Sequence, residues 1–355
     1  MRLTRLIVRD VRNLQAIDWH PADGLNVLVG PNGGGKSSLL EAIHLAAVGR
    51  SFRTRDTDAM IRQGCKGLSV GAWFRHEGGQ LHHVRLQRQA GATRIFLDQR
   101  PLRSASELAR NVPVLALSQD GLARFRSSRG ERRAVLDWGL FHVEPGFHSA
   151  WSRYYQSLAQ RNAALRARQV DAPWLGLLAQ AGEALTVARL DYVARLQQQV
   201  EDTVHRLGLG FSITITLQRG WRDGEPLTEY WASSRDRDRA VGYTMGGPHR
   251  ANLVARVDGR FGFDVLSAGQ AKLVYLVVRL AQLEQLLACF PQAEPIVFFD
   301  DLAAELDERH LQAVLRLLSD HRLQRFVTSP TRAGGLGVSG AVFHVEHGAV
   351  TPVSF

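Results

Sequence analysis

The first third of the chain carries the hydrophobic pattern of β-structure. Residues 2–20 alternate between apolar and polar positions, which predicts two strands. Residues 68–98 alternate in the same way around glycine-rich turns, which predicts a β-meander. Residues 112–117 are a short apolar run, so we expect one further, buried strand there.

Helical spacing replaces this alternation in the middle of the chain. Large apolar residues recur at steps of three and four between Phe147 and Leu165, and again between Leu190 and Leu207. The two stretches meet near residues 171–173. This pattern predicts two long amphipathic helices that form an antiparallel arm.

The last third returns to mixed structure. Residues 211–217 and 252–257 predict short strands, with a polar loop at 232–240 between them. Residues 296–299 are continuously apolar, as expected for a parallel strand covered on both faces. A helix at about 308–318, a strand at 326–328 and a final hairpin complete the prediction.

Composition narrows the class of protein. The 355 residues are 45% hydrophobic and 22% charged, which is typical of a globular protein. No apolar run reaches the length of roughly 18 residues that a membrane span needs. The two cysteines, Cys65 and Cys289, are far apart and fit a reducing compartment. We therefore expect a cytoplasmic protein without a membrane segment.

The charge balance points to a polyanionic partner. The formal net charge is +10 and the pI about 10.3, which suggests nucleic acid, although a merely basic surface gives the same numbers. Only three of the 44 basic residues are lysines. One of them, Lys36, lies in a phosphate-binding motif, where the planar arginine fork cannot replace a compact ammonium.

That motif is the segment from Gly30 to Ser37, which matches G-x-x-x-x-G-K-[ST]. An apolar strand-like run precedes it and a helix-like run follows, as this phosphate-binding loop (P-loop) requires. Backbone N–H groups of such a loop surround phosphates, the lysine reaches the β- and γ-phosphates, and the serine hydroxyl binds Mg²⁺. The predicted nucleotide-binding residues are Gly30, Pro31, Asn32, Gly33, Gly34, Gly35, Lys36, Ser37 and Ser38.

A pair of carboxylates is the second candidate element. Asp300 and Asp301 follow the apolar run 296–299. Asp300, together with Ser37, is the predicted Mg²⁺ ligand. Asp301 is the predicted general base for the attacking water. Two solvated aspartates at a strand end would have the same sequence.

A third element suggests that the site is shared between chains, and a fourth is a further candidate contact within it. Ser267, Gly269 and Gln270 precede an apolar helix and would form a second anion-binding surface at its N-terminus. One chain does not need two such surfaces for one γ-phosphate, whereas a dimer that encloses the nucleotide does. Gln119 follows a buried strand and is a candidate contact to Mg²⁺ or to the water.

Together these elements resemble the ATP-binding-cassette ATPases. Residues 266–270, Leu-Ser-Ala-Gly-Gln, stand for their signature, and residues 303–307 resemble the loop that follows their catalytic strand. Within that superfamily the chain is similar to the RecF family of bacterial DNA replication and repair proteins. The similarity is carried, in order along the chain, by residues 12–14, 49–54, 132–137, 160–165, 247–250 and 300–307.

The resemblance implies an α/β fold of the ATP-binding-cassette head type. Residues 1–118 and 241–355 are expected to form the ATP-binding core lobe, with the P-loop and a mixed β-sheet. Residues 119–240 are expected to form a mainly helical second lobe with the antiparallel arm. The RecF family is also similar to the heads of structural-maintenance-of-chromosomes proteins, without their long coiled coil.

The resemblance implies a function as well. It implies an ATP-induced homodimer that uses ATP and Mg²⁺, binds DNA, and acts with RecO and RecR to help load RecA at single-strand gaps, supporting the SOS response. It implies a weak, DNA-stimulated ATPase. Asp301 is one methylene shorter than the usual glutamate base, so we expect slow hydrolysis. The usual switch histidine is absent after residues 326–328, which leaves Thr328 and Ser329 as candidate γ-phosphate sensors.

Arginine clusters are the candidate DNA contacts. Such clusters neutralise phosphates with little sequence preference, so single-stranded, duplex and gap-junction DNA all stay open. A solvated helix face or a set of ion pairs would have the same composition. The candidates are Arg124, Arg126, Arg129, Arg132, Arg133 and Arg161.

Two other functions share part of the pattern. The cassette motifs alone are compatible with the ATPase subunit of a membrane transporter, although the helical arm and the positive charge argue against it. A P-loop kinase is the second alternative, but the helix start at Ser267 has no use in a kinase.

Overall fold

A computed structural model of the protein describes residues 1–76, 78–169, 172–261, 266–301, 306–329 and 340–353. The chain folds as two units. Unit 1 combines both ends of the sequence, Met1–Leu122 and Gln292–Phe355. Unit 2 is the intervening segment, Ala123–Pro291.

The strands of the described residues follow the predicted alternation closely. In chain order they are β1 (Arg2–Val11), β2 (Leu14–Trp19), β3 (Leu25–Val29), β4 (Gly67–Arg75), β5 (Leu81–Gln89), β6 (Ala92–Leu97), β7 (Arg100–Pro101), β8 (Val114–Ser118), β9 (Ile213–Gln218), β10 (Asn252–Val257), β11 (Arg260–Phe261), β12 (Ile296–Asp300), β13 (Gln324–Ser329), β14 (Ala341–Glu346) and β15 (Ala349–Val353).

The helices include both halves of the predicted arm. In chain order they are α1 (Lys36–Val48), α2 (Ala105–Ala109), α3 (Gln119–Ser127), α4 (Arg129–Val143), α5 (Phe147–Arg166), α6 (Ala172–Arg206), α7 (Leu227–Ser233), α8 (Arg235–Val241), α9 (Ala268–Cys289) and α10 (Glu308–Ser319). Short 3₁₀ helices cover Asp58–Met60 and Pro248–Arg250. No described helix is both long and apolar enough to cross a membrane.

Unit 1 is built from two sheets with a helix between them. The first sheet is antiparallel, in the order β2-β1-β4-β5-β6-β7. The second has the order β15-β14-β3-β13-β12-β8 and is parallel except for β15. Helix α1 packs against both sheets and shares one core with them. This explains why its apolar residues are buried on every side and not along one stripe.

Unit 2 is mainly helical. Helices α5 and α6 pack side by side, and the short connection makes them antiparallel, as predicted. Helix α9 packs on α4 and α6, and β9, β10 and β11 form a small antiparallel sheet. These contacts place residues 241–291 in unit 2, whereas the sequence analysis assigned them to the ATP-binding lobe.

The polar segment 232–240 differs from its prediction as a loop. It is largely helical, within α7 and α8. Only a few of its residues face inward, among them Asp238, which is 0% exposed; Trp231, just before the segment, is 1% exposed. Because a charged residue occupies an inward-facing position, the apolar residues of this segment do not recur at helical spacing, and the sequence does not predict a helix.

Candidate functional site

The P-loop connects β3 to α1, as the motif requires. Gly33 and Gly35 adopt φ values of 78° and 113°, a region that side chains rarely occupy. Gly30 and Gly34 lie against the carbonyl of Val345 at the end of β14, and an added Cβ on either would overlap that oxygen. The glycines are therefore required by backbone conformation and by close backbone approach.

Lys36 is held inside the loop. Its Nζ donates to the carbonyl oxygens of Gly30 and Pro31, at 2.8 and 3.0 Å. Burial lowers the pKa of Lys36, while the nearby carboxylates of Asp301 and Asp300 oppose that shift. The ammonium is thus held inside the loop by bonds to two loop carbonyls.

Ser37 and Asp300 are brought together as predicted. The Ser37 hydroxyl donates to Asp300 Oδ1 at 2.7 Å. Asp300 is buried at the end of β12, and burial raises its pKa to about 6, with the hydrogen bond from Ser37 acting in the opposite direction. A buried carboxylate beside a serine hydroxyl has the donor chemistry that Mg²⁺ prefers.

Asp301 is held next to this pair by Thr328 of β13. Its backbone N–H donates to Thr328 Oγ1 at 2.8 Å, and the Thr328 hydroxyl lies 3.3 Å from Asp301 Oδ1. Asp301 has a φ of 57°, a conformation that aspartate tolerates better than most residues. Thr328 is 0% exposed, so it supports the carboxylates from beneath and is not placed to sense a phosphate.

Gln119 lies at the same edge of the second sheet. Strand β8 pairs with β12, with Ser118 opposite Asp300, so Gln119 follows directly beside the two aspartates. Its exposed position at the start of α3 fits the predicted contact to metal or water.

Asn13 supports the P-loop and was not recognised from the sequence as a site residue. Its Nδ2 donates to the carbonyl of Gly33 at 2.7 Å, and its Oδ1 accepts from the hydroxyl of Ser38 at 2.9 Å. The only available signal was its place directly after β1, in a segment that resembles the RecF family. Ser38, predicted to bind nucleotide, is thus bonded to the β1–β2 turn.

A buried carboxylate within α1 connects this helix to neighbouring segments. Glu41 is 0% exposed and accepts from Arg12 at 3.0 and 3.1 Å and from the hydroxyl of Ser51 at 2.5 Å. Arg53 approaches the same carboxylate at 3.8 Å and bonds Asp120, the residue after Gln119, at 3.1 Å. The ion pairs therefore link the P-loop helix to the Gln119 segment.

The signature residues form a well-defined helix start in unit 2. Ser267 caps α9 by accepting from the backbone of Gln270 at 3.1 Å, and the Gln270 side chain returns a bond to the Ser267 N–H at 3.1 Å. Ser267 and Gly269 are exposed. Of the neighbouring loop 303–307, residues 303–305 lie outside the described residues, and Asp307 caps α10.

Two of the six candidate DNA contacts are corrected by the structure. Arg161 is 0% exposed and bonds Asp238 at 2.9 Å and Thr244 at 2.8 Å. Arg132 is buried and donates to Asn252 and to the carbonyls of Phe125 and Arg126. Both guanidinium groups are structural, so they are not available to phosphates.

The other four arginines remain accessible to different degrees. Arg126 and Arg129 are exposed. Arg124 is partly exposed and lies 3.6 Å from Glu131. Arg133 donates to the carbonyl of Ala251 at 2.8 Å.

His249, in the segment 247–250, is a structural residue. Its Nε2–H donates to the carbonyl of Thr244, 3.0 Å away, and its Nδ1 accepts from the Tyr154 hydroxyl, 2.7 Å away. Burial lowers the pKa of His249 to about 4, so the ring is neutral at physiological pH.

Comparisons with known proteins agree with this geometry. Residues 2–340 match the family described as RecF/RecN/SMC N terminal domain. The chain is 38% identical to the DNA replication and repair protein RecF of Thioalkalivibrio sulfidiphilus (strain HL-EbGR7), over 99% of both chains. The chain belongs to the RecF family. RecF of Xanthomonas oryzae pv. oryzae (strain KACC10331 / KXO85) is 40% identical to this RecF-family chain, over 99% of this chain and 98% of the relative.

Solved structures match in fold. A structure described as the recombination mediator protein RecF-ATP in the RecFOR pathway gives a TM-score of 0.90 at 22% identity, covering 99% of this RecF-family chain and 98% of that chain. An Smc head bound to the C-winged helix domain of ScpA gives 0.61 at 16% identity, covering 100% and 98%. The predicted α/β fold of the cassette-head type is confirmed, and this fold type supports ATP hydrolysis. The family match favours the DNA-repair interpretation over the transporter and kinase alternatives.

Proposed function

We propose that this RecF-family chain is a switch protein of DNA replication and recombinational repair, in which ATP closes two copies on each other and on DNA. The observation that carries the proposal is the 2.7 Å hydrogen bond between Ser37 and Asp300, directly beside Lys36 and Asp301. These four side chains are of the types that P-loop nucleotide hydrolases use to bind phosphate, to hold the metal ion and to position water.

The residues present fit Mg²⁺ and ATP. Asp300 and Ser37 would hold the metal ion, and Gln119 would complete its surroundings. When bound, Mg²⁺ would neutralise charge on the β- and γ-phosphates. Lys36 would exchange its bonds to the Gly30 and Pro31 carbonyls for bonds to phosphate oxygens.

Asp301 would accept the proton of the attacking water. Thr328 fixes its backbone and approaches its carboxylate, so the base is preorganised. The aspartate is short, and a second water would bridge it to the nucleophile. Weak turnover, stimulated by DNA, suits a protein whose ATP-bound state is the working state.

The exposed start of α9 at Ser267 and Gly269, here called the signature surface, would complete the nucleotide site of a second copy. Ser267 and Gly269 present an exposed hydroxyl and a helix N-terminus, a surface suited to the γ-phosphate bound by another copy. In an isologous dimer the P-loop of one copy would face the signature of the other, which gives two equivalent nucleotide sites.

Partners follow from the family. A relative of this chain is described as a recombination mediator in the RecFOR pathway. We infer that this chain acts in the cytoplasm with RecO and RecR, helps load RecA at single-strand gaps, and is needed for SOS induction. The DNA contacts of unit 2 would involve Arg124, Arg126, Arg129 and Arg133.

The test is DNA-binding anisotropy with and without ATP and Mg²⁺, over a salt series, with molar mass followed in parallel. We expect ATP-dependent binding that coincides with dimer mass and weakens steeply with salt. Lys36→Ala should lose the ATP-induced dimer, while Lys66→Ala, at an exposed lysine, should behave as wild type. The absence of DNA binding in every nucleotide state would overturn the proposal.

A further inference from the structure

The outer face of the first sheet of unit 1 carries unbalanced positive charge. Alternate residues of β1, β4, β5 and β6 point into the core, and the residues between them form this face. Arg9, Arg85 and Arg94 belong to it, and all three are exposed. Among the described residues, none of the three has an acidic partner.

The acidic residues near this face are already engaged. Asp18 binds Arg5 at 2.6 Å, and Asp23 binds Arg75 at 3.1 Å. The charge of the three free arginines is therefore not cancelled locally, and it can be neutralised by a ligand.

The strand register determines how the three arginines are spaced on this face. Arg9, Ser69, Gln87 and Arg94 lie in one row across the strands. The outer two residues are three strand spacings apart, about 14 Å. The next row contains Ile7, Gly71, Arg85 and Phe96. Ser69 and Gly71 of β4 contribute little side-chain bulk between the longer side chains of β1 and β5.

Planar side chains line the same face. The Arg85 guanidinium lies over the Phe96 ring, 4.7 Å from its centroid. Trp73 and His83 stack at 4.2 Å with an interplanar angle of 11°, and Arg5 lies 5.1 Å from the Trp73 centroid. Open sheet faces that combine arginine with aromatic rings suit unpaired bases, which stack on such planes while phosphates bind the cations.

We propose that this outer face, around Arg9, Arg85 and Arg94, is a binding platform for single-stranded DNA. Duplex DNA would use the charge but not the planar groups, because its bases are stacked internally. An acidic protein segment would use the charge alone. The platform rests on the proposed function, because it assumes that the chain binds DNA.

The test compares two triple variants that each remove three positive charges. R9Q/R85Q/R94Q changes the platform, and R222Q/R237Q/R260Q is the control, at exposed arginines of unit 2. Binding of an oligo(dT) strand is measured by anisotropy over a salt series. The platform variant should weaken binding at least about tenfold and flatten the log–log salt dependence by about two units, and the control should do neither.

A 5-iodouracil-substituted strand then maps contact, because photo-crosslinks should fall in residues 67–97. Binding of the platform variant equal to that of wild type, without such crosslinks, would overturn the platform. Equal losses for duplex and single strand, with crosslinks from duplex only, would overturn the single-strand assignment. Failure of the wild type to bind any DNA would instead remove the proposed function.

Discussion

At the scale of single residues, the nucleotide site holds a carboxylate in a costly environment. Burial raises the pKa of Asp300 to about 6, from an ordinary value of 3.8. Above pH 6 the Asp300 carboxyl is ionised in both states. Its charge is buried in the folded protein and solvated in the unfolded chain. Asp300 therefore opposes folding at neutral pH, and the effect shrinks as the pH falls through 6 and disappears below about 4, where both states are protonated.

We therefore predict that Asp300→Asn stabilises the nucleotide-free protein, by on the order of 2–3 kcal/mol at pH 8, while it abolishes Mg²⁺-dependent nucleotide binding. Urea unfolding between pH 4 and pH 8 measures the gain, which should shrink on acidification. Asp18→Asn is the control: Arg5 lowers the pKa of exposed Asp18, so its substitution should not stabilise. A pH-independent effect of Asp300→Asn would contradict this explanation.

Thr328 allows a second prediction at this scale. Thr328→Val keeps the shape but removes the acceptor for the Asp301 N–H, so kcat for ATP should fall at least about tenfold with little change in KM. Thr328→Ser keeps the hydroxyl and should restore most of the rate. Steady-state kinetics decide, and an unchanged kcat for Thr328→Val would show that Asp301 needs no such support.

The sequence predicted the residues whose spacing is set by local chemistry. The P-loop and the two aspartates lie at strand ends, where motif and pattern coincide. Asn13, Thr328 and Glu41 were not assigned these roles, because their contacts cross large sequence distances. Arg132 and Arg161 were misassigned because composition does not distinguish an exposed arginine from a buried one whose partner lies far along the chain.

At the scale of elements, the backbone at the end of β14 packs directly against the P-loop. The carbonyl of Val345 fills the space that a side chain on Gly34 would need. We predict that Gly34→Ala displaces the loop, weakens ATP binding, and lowers stability by about 1–3 kcal/mol. Gly24→Ala is the matched control, since an added Cβ there meets nothing within 4 Å. Calorimetric ATP titration of both variants checks this prediction. Equal affinities would show that the contact with Val345 does not constrain the P-loop.

The pairing between α5 and α8 gives another element-level prediction. Arg161→Leu leaves Asp238 buried and unpaired, which should cost about 3–5 kcal/mol, whereas the double variant Arg161→Leu/Asp238→Leu should recover part of that loss. Arg126→Leu, at an exposed position, should change stability by less than about 0.5 kcal/mol. Chemical denaturation measures all three, and a harmless Arg161→Leu would restore the possibility of a surface role.

Elements with strong periodicity were predicted well, and mixed ones were not. The β-meander and the arm helices have long apolar repeats, and the structure confirms both. Helices α7 and α8 are short, and a buried aspartate interrupts their inner face, so the segment was predicted as a loop. Local pattern cannot identify a charge that tertiary contacts neutralise.

At the scale of the whole molecule, the proposed dimer predicts that two defective variants can complement each other. Lys36→Ala damages the P-loop, and Ser267→Arg blocks the signature surface. Each alone should have no ATPase activity. In a mixed dimer one site takes an intact P-loop from one chain and an intact signature from the other, so an equimolar mixture should regain about a quarter of wild-type turnover if sites act independently. No recovery would contradict a shared site.

The division into units was predicted only in part. Discontinuity of the ATP-binding lobe was expected from the motifs, but its second boundary was set at 241 instead of near 291. Motif order places α9 with the nucleotide site, whereas packing places it with α4 and α6. Sequence motifs identify residues that act in the same chemistry, whereas a structural unit consists of residues that pack around the same core.

The arrangement of the second sheet has a consequence for synthesis on the ribosome. Strand β3, which leads into the P-loop, pairs with β13 and β14, and these come from the far end of the chain. At translation rates of roughly 5–20 residues per second, β3 waits tens of seconds for its neighbours. Unit 2 emerges in that interval as one continuous segment. The nascent chain can thus acquire its helical unit first, and nucleotide binding can begin only after β13 and β14 have emerged.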